Sequence, residues 1–373
     1  MSDPSPIPSL ELRGTSRLEF RHRDELAHVL DPLRRDLSAS ASAGDDLFAA
    51  GDESATVERL TRDDDGHWRH HHSVAVGELI DLPAGPAGEM DIEGLAIDDG
   101  YLWITGSHSL TRDQPEPSAN TPAEALEELA DIDRDPNRWF LGRIPLEVDG
   151  DGRLQARASV PTSDGPRTPA ALKMDDDGGN ALTRALAGDA HLAPFLAIPS
   201  KDNGLDVEGL AVRHDRVYLG LRGPVLRGWA LVLELRLRTT KKGRLKSRKL
   251  EHGGRYRKHF ISLDGLGVRD LLFDGDELLV LAGPTMDLDG PVRLYRWSAP
   301  LTLDEATVSP RSALELVGAV PHGQGHDHAE AICPVAGPDG DELLVLYDSP
   351  DPERLLDEQA ILADRFRWPV NRG

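Results

Sequence analysis

One short phrase recurs along this chain. Asp91-Ile92-Glu93-Gly94-Leu95-Ala96-Ile97 returns as Asp206-Val207-Glu208-Gly209-Leu210-Ala211-Val212. Weaker copies read Gly267-Val268-Arg269-Asp270-Leu271-Leu272-Phe273 and His328-Ala329-Glu330-Ala331-Ile332-Cys333, and the faintest reads Asp36-Leu37-Ser38-Ala39-Ser40-Ala41. Each copy runs into a turn, such as Asp99-Gly100 or His214-Asp215, and then into a second apolar run. A repeat of this kind is one supersecondary unit used several times, each copy burying its apolar face only against its neighbours.

The apolar runs are short, rich in Val, Leu, Ile and aromatics, and bounded by Asp/Gly turns, which is the pattern of strands. Second strands are expected at 101–105, 217–221, 277–281 and 342–347. Third strands follow at 57–60, 139–144, 229–237, 292–297 and 361–368, and fourth strands at 73–76, 154–160, 244–250 and 314–320. Four antiparallel strands per unit make the blade of a β-propeller. The expected fold is therefore all-β, with five four-stranded blades starting near Leu37, Asp91, Asp206, Gly267 and His328. The last copy lacks a fourth strand, and the strand-like residues 10–20 would supply it and close the ring, protecting edges that an open sheet exposes. One domain over 10–373 follows, after a disordered lead-in over 1–9. The long gap between the second and third copies calls for two small helical insertions, at about 119–132, where Thr121-Pro122 is a helix start, and about 169–196. A sixth blade in that gap is the alternative.

Charge narrows the partners. Lys and Arg number 42 against 65 Asp and Glu, a net charge of −23. Such a field disfavours nucleic acid and anionic membranes, whose affinity comes from cations on the protein, and favours cationic ligands and metal ions. It also simply keeps a protein soluble. One basic island breaks the trend, with Arg236, Arg238, Lys241, Lys242, Arg244, Lys246, Arg248 and Lys249 arranged as a hairpin about Lys242-Gly243. It reads either as a polyanion patch or as a lysine-guarded sheet edge. The single cysteine, Cys333, lies in an apolar strand and reads as a buried, inert thiol. With no intramolecular disulfide, no apolar run near the ~20 residues of a membrane span and no signal-peptide pattern at the N-terminus, a cytoplasmic location is expected.

Chemistry should sit at the channel mouth. The repeated phrase supplies the innermost strand of each blade, so its third position would face the axis and carry Ser38, Glu93, Glu208, Arg269 and Glu330 at one level. Three carboxylates do not stay ionised side by side in a narrow channel without compensation. A cation binds there, Arg269 compensates, or some carboxylates are protonated. Hard oxygen ligands suit calcium; alternatively, the glutamates hydrogen-bond the amides of neighbouring blades. The loops after the second strands open on the same face. They bring His108 as an acid or base, Arg222 and Arg227 as clamps for phosphate or carboxylate, and Asp287 and Asp348 as further ligand-binding groups; His328, which opens the fifth copy after a Gly-rich loop with His322 and His326, joins them at the mouth. His70-His71-His72 reads as surface decoration.

The two EGLA copies, GLRGPVLRGWA (220–230) and AGPTMDLDGPVRLYRW (282–297), resemble the bacterial domain-of-unknown-function family 3616 over about 37–368. More distantly, the inner ring resembles that of the five-bladed calcium-activated nucleotidases (apyrases), and the EGLA phrase resembles esterase-like phytase propellers. The apyrase resemblance implies an axial calcium held by Ser38, Glu93, Glu208 and Glu330; Arg269 departs from it, since a neutral residue stands there in that family. The functional expectation is a propeller whose charged mouth binds a cation (calcium), a small anionic ligand, or both, with metal-dependent phosphoester hydrolysis as the activity such a site would support. The alternative is a non-catalytic protein-interaction propeller.

Overall fold

The computed structural model describes residues 7–21, 33–115, 121–176, 178–251, 253–286, 288–298 and 300–370. The five copies of the phrase are the five innermost strands, Leu37–Ala43, Ile92–Asp98, Asp206–Arg213, Gly267–Asp274 and His328–Gly337. Each turns back into an antiparallel second strand: Asp46–Gly51, Tyr101–Gly106, Arg216–Leu226, Glu277–Gly283 and Gly340–Asp348. Asp99 and Gly100 both take positive φ, at 48° and 71°, the geometry of the two-residue hairpin turn that matches strand twist. Thr56–Arg62, Leu141–Val148, Trp229–Thr239, Val292–Trp297 and Ala360–Arg367 are the third strands.

The fourth strands are Trp68–Ala75, Arg257–Ser262, Leu314–Val320 and, in the fifth blade, Leu12–Glu19 from the start of the chain. Leu12–Glu19 pairs antiparallel with Ala360–Arg367 and touches Trp68 of the first blade through Leu18. The ring is thus closed by joining the two ends of the chain.

Apolar packing confirms five blades. The buried hydrophobics fall into five clusters, one at each blade interface: first with second, second with third, third with fourth, fourth with fifth, and fifth with first. No cluster is left over for a sixth blade among the described residues. The long gap instead holds a helix at Pro122–Glu128, with Thr121 and Glu124 forming a capping box, and a second at Ala181–Leu186 capped by Asn180.

Several boundaries move. The second blade's edge is split between Leu154–Ala156 and Ala170–Ala171, both paired with Leu141–Val148. The basic stretch 244–250 is not the third blade's fourth strand: only Leu245–Ser247 pairs, on the far end of Trp229–Thr239, and Arg257–Ser262 takes the blade position. Residues 1–6 of the expected lead-in lie outside the described residues, whereas Pro8 and Leu10 hydrogen-bond Ala319 of the fourth blade. Cys333 is buried, and desolvation pushes its thiol up to about 12. Among the described residues no helix is long and apolar enough to cross a membrane.

Leu18 is fully buried at the junction that closes the ring. Leu18→Ala should lower the unfolding free energy by about 2–5 kcal/mol, read from the denaturant midpoint. A loss below 1 kcal/mol would mean the junction carries little of the stability.

Candidate functional site

A one-residue irregularity recurs in every inner strand. Leu37 pairs with Gly51 and Ala39 with Ala50, leaving Ser38 unpaired; the same skip falls on Glu93, Glu208, Arg269 and Glu330. A β-bulge adds a residue to one strand and re-aims its side chain. Its effect shows in the packing. Ile92 and Leu95 are three apart yet face the same interface, as do Val207 with Leu210, Val268 with Leu271 and Ala329 with Ile332. An unbroken strand, with its period of two, forbids this. The glycines after Glu93 and Glu208 have a steric cause: a Cβ on Gly94 would stand 2.6 Å from Leu210 Cβ, and one on Gly209 2.9 Å from Leu271 Cγ.

At the bulge level the charges pair. Arg269 Nε lies 3.0 Å from Glu208 Oε2, and its guanidinium also contacts Glu330. Arg222 reaches Glu208 Oε1 at 2.8 Å and Asp206 Oδ2 at 2.6 Å. Arg222 is itself skipped in the pairing, because Asp206 faces Gly223 while Val207 faces Leu221. Burial pushes the Glu208 carboxyl up to about 7 against the two guanidiniums that hold it down, and the surrounding carboxylates raise Arg222 above its ordinary range against the pull of its own burial. Ser38 Oγ donates to the Ile92 carbonyl at 2.5 Å, tying the first blade to the second. Asp270, the residue after Arg269, accepts from Leu271 N at 2.7 Å and from Ile332 N at 2.8 Å in the fifth blade. The neighbouring-blade amide role expected of a glutamate is therefore filled by Asp270.

This donor set does not fit the axial calcium that the apyrase resemblance implies. Two of the four expected ligands are matched to guanidiniums, the serine oxygen is directed at a carbonyl, and among the described residues no three His, Cys, Asp or Glu side chains converge as a metal site.

Above the ring the mouth opens into two connected cavities. The larger, of about 520 Å³, is lined by eleven acidic residues, among them Asp52, Glu53, Asp91, Glu93, Asp206 and Asp348, against Arg112, Arg138, Lys201 and Arg222. The imbalance favours a positively charged occupant. Desolvation, with Asp91 and Glu208 nearby, raises Glu93 well above the carboxylate range. Asp52 is raised likewise, by burial and then by Asp91 and Asp348, and Asp36, beside Asp348, to about 7. Arg138 pairs with Asp91 and Glu89 on one side only. The smaller cavity, of about 70 Å³, shares Lys201, Arg222, Glu330 and Asp348 with the first and adds Arg269, His322, His328 and an apolar rim of Met286, Leu288 and Val292.

The expected site residues separate accordingly. Glu93, Arg222, Arg269, Glu330, His328 and Asp348 line the mouth; His328 Nε2 lies 3.3 Å from Asp289 Oδ1. Glu208 sits beneath, paired with both arginines. Arg227 is exposed on the turn between Leu226 and Trp229 and lines neither cavity. Asp287 lies outside the described residues. His108 is wholly buried: Nδ1–H donates to the Gly106 carbonyl at 2.9 Å, and Nε2 accepts from Asn180 Nδ2 at 2.7 Å. Burial lowers its pKa to about 4, so it is neutral and fastens the Ala181–Leu186 helix to the second blade instead of serving as an acid or base. Sequence reasoning missed Asp52, Asp91 and Asp206. The last two open the two strongest copies of the repeated phrase, so their recurrence was a usable signal; Asp52 sits in a connection with no repeat to mark it.

The fold and mouth define a five-bladed β-propeller with a charged, pocketed channel opening. The chain belongs to the family described as "Protein of unknown function (DUF3616)", whose profile matches residues 36–364. Among solved structures, a xylan β-1,4-xylosidase from Bacillus halodurans C-125 is 14% identical with a TM-score of 0.40, covering 90% of this chain and 54% of its own, so this chain spans about half the length of that protein. The PQQ-bound aldose sugar dehydrogenase from Streptomyces coelicolor is 13% identical, covering 95% and 99%, TM-score 0.37. A putative 6-phosphogluconolactonase from Bacteroides fragilis NCTC 9343 is 14% identical, covering 92% and 89%, TM-score 0.31. A search of curated proteins found no match to the chain.

Removing one partner of a buried ion pair leaves a charge uncompensated and costs about 3–5 kcal/mol. Arg269→Met should destabilise by that order, and adding Glu208→Gln should recover part of the loss in a double-mutant cycle of unfolding free energies. Additive losses would show that Arg269 does not serve Glu208.

Proposed function

We propose that the channel mouth binds a small organic cation, such as an amine-bearing metabolite, in the larger cavity. The observation that carries this reading is the excess of carboxylates around that cavity, several of them raised well above their ordinary range by burial and by one another. A cation there relieves the mutual repulsion and lets those groups ionise. Arg222 and Arg269 are matched to Asp206, Glu208 and Glu330 and Arg138 to Asp91, so they shape the floor and one side of the site and leave Asp52 and Glu93 to receive the ligand. An ammonium or guanidinium group with room for a polar body suits a cavity of about 520 Å³ within the size range of small-molecule sites. No step through calcium is part of this reading.

The pH dependence has a definite sign. A carboxyl raised in the folded chain binds more protons there than in the unfolded chain, so the unliganded protein loses stability as pH rises through that pKa. A cation binds the ionised form, and Glu93 and Asp52, which line the cavity, are raised well above the carboxylate range by burial and by neighbouring carboxylates, so its affinity should increase as pH rises.

Thermal unfolding of chelator-treated protein with spermidine, agmatine, calcium, magnesium or manganese tests the reading. A ligand at ~100 times its dissociation constant stabilises by about 2.7 kcal/mol. A midpoint rise with an amine, larger at pH 8 than at pH 6 and reduced in Glu93→Gln, is the expected result. A calcium-specific rise abolished by Glu93→Gln would overturn it in favour of a metal site, and no shift with any amine would overturn it outright.

A further inference from the structure

A basic surface lies on the outer strands, among residues that line neither mouth cavity. The basic stretch 236–249 contains eight Lys and Arg and no acid, in a chain of net charge −23. It forms a hairpin in which Arg238 stands directly opposite Lys246. Like charges opposed across strands are destabilising, and among the described residues no carboxylate pairs with either of them. Arg238, Lys241, Lys242, Arg244, Lys246 and Lys249 are exposed and make no ion pair among the described residues, although 65 acids were available. Within the stretch, Arg248 alone among the described residues has an ion-pair partner, Asp215 at 3.5 Å.

The hairpin is held in place. Leu245 is buried in the core between the second and third blades with Leu172, to which it is also bridged. Its turn, Lys242-Gly243-Arg244, forms one wall of a groove of about 640 Å³. The floor is apolar: Leu79, Ile80, Leu82, Ala171 and Met174 pack on the core between the first and second blades yet stay half-exposed. Lys173 adds to the basic side, Asp81 and Asp176 also line the groove, and the exposed cations of the hairpin outnumber them; an apolar floor beside this basic hairpin matches a peptide that alternates acidic and apolar side chains.

We infer that this groove docks an acidic, apolar-containing segment of a partner protein. The charges of the wall are complementary to it, and arginine and lysine clusters are a recurrent way to capture acidic motifs. A nucleic acid would meet the same wall, but it would have no use for the apolar floor.

Fluorescence anisotropy of the whole protein with a labelled peptide alternating Glu and Leu over about 12 residues tests this. Binding should weaken as salt is raised, and the exposed-turn variant Lys241→Glu/Lys242→Glu/Arg244→Glu should weaken it roughly tenfold or more by creating like-charge contacts. Met174→Ser should weaken it also, and Glu93→Gln at the mouth should leave it unchanged. The inference is overturned if the peptide does not bind, if neither groove variant changes its affinity, or if a labelled single-stranded DNA binds more tightly than the peptide.

Discussion

Every inner strand of this propeller carries one extra residue at the same place, and most of the molecule's chemistry descends from it. The bulge turns the strand's apolar face through one register, so that side chains three apart fill the same blade interface. The residue that is squeezed out, Ser38, Glu93, Glu208, Arg269 or Glu330, has no place in the core and is directed to the axis. The same local event thus builds the walls between blades and the lining of the channel. The Glu-Gly pairs follow from it: the first residue is free to be charged because it faces the channel, and the second is small because the adjacent inner strand passes too close for a side chain.

Stacking the extra residues around one axis creates an electrostatic problem that two arginines answer in part. Arg269 comes from the fourth inner strand and Arg222 from a compensating irregularity in the third blade's second strand. Together they pair with Asp206, Glu208 and Glu330. Burying such pairs contributes little net stability, because desolvation offsets their attraction, although losing one member is costly. The carboxylates higher in the mouth receive less: Arg138 serves Asp91 and Glu89, while Glu93 and Asp52 remain strongly raised. The residual imbalance is the ground on which a cation site is proposed at the mouth.

Ring closure shows the same division between local pattern and assembly. Leu12–Glu19 gains its partners only when Ala360–Arg367 arrives from the other end of the chain, so the fifth blade is complete only in the folded whole. The two insertions are fastened comparably. Asn180 caps one helix while donating to His108 and to the Trp139 carbonyl, and Asp189 accepts from Lys258 of the third blade's outer strand and from Tyr256 just before it.

The repeated phrase and its turns determined the five blades, the inner strands and the need for the first strand to complete the last blade, because strand periodicity and turn chemistry are local properties. They also marked Glu93, Glu208, Arg269 and Glu330 as axial, since their position recurs. The bulge itself, Asp52 in the mouth, the partnership of Arg222 with Asp206 and Glu208, the exposure of Arg227 and the burial of His108 were decided by tertiary structure. Each depends on which strands lie beside one another and how closely. A histidine after a strand reads the same whether it faces solvent or the Trp139 ring; only packing removes its water, and with it its ability to carry a proton at neutral pH.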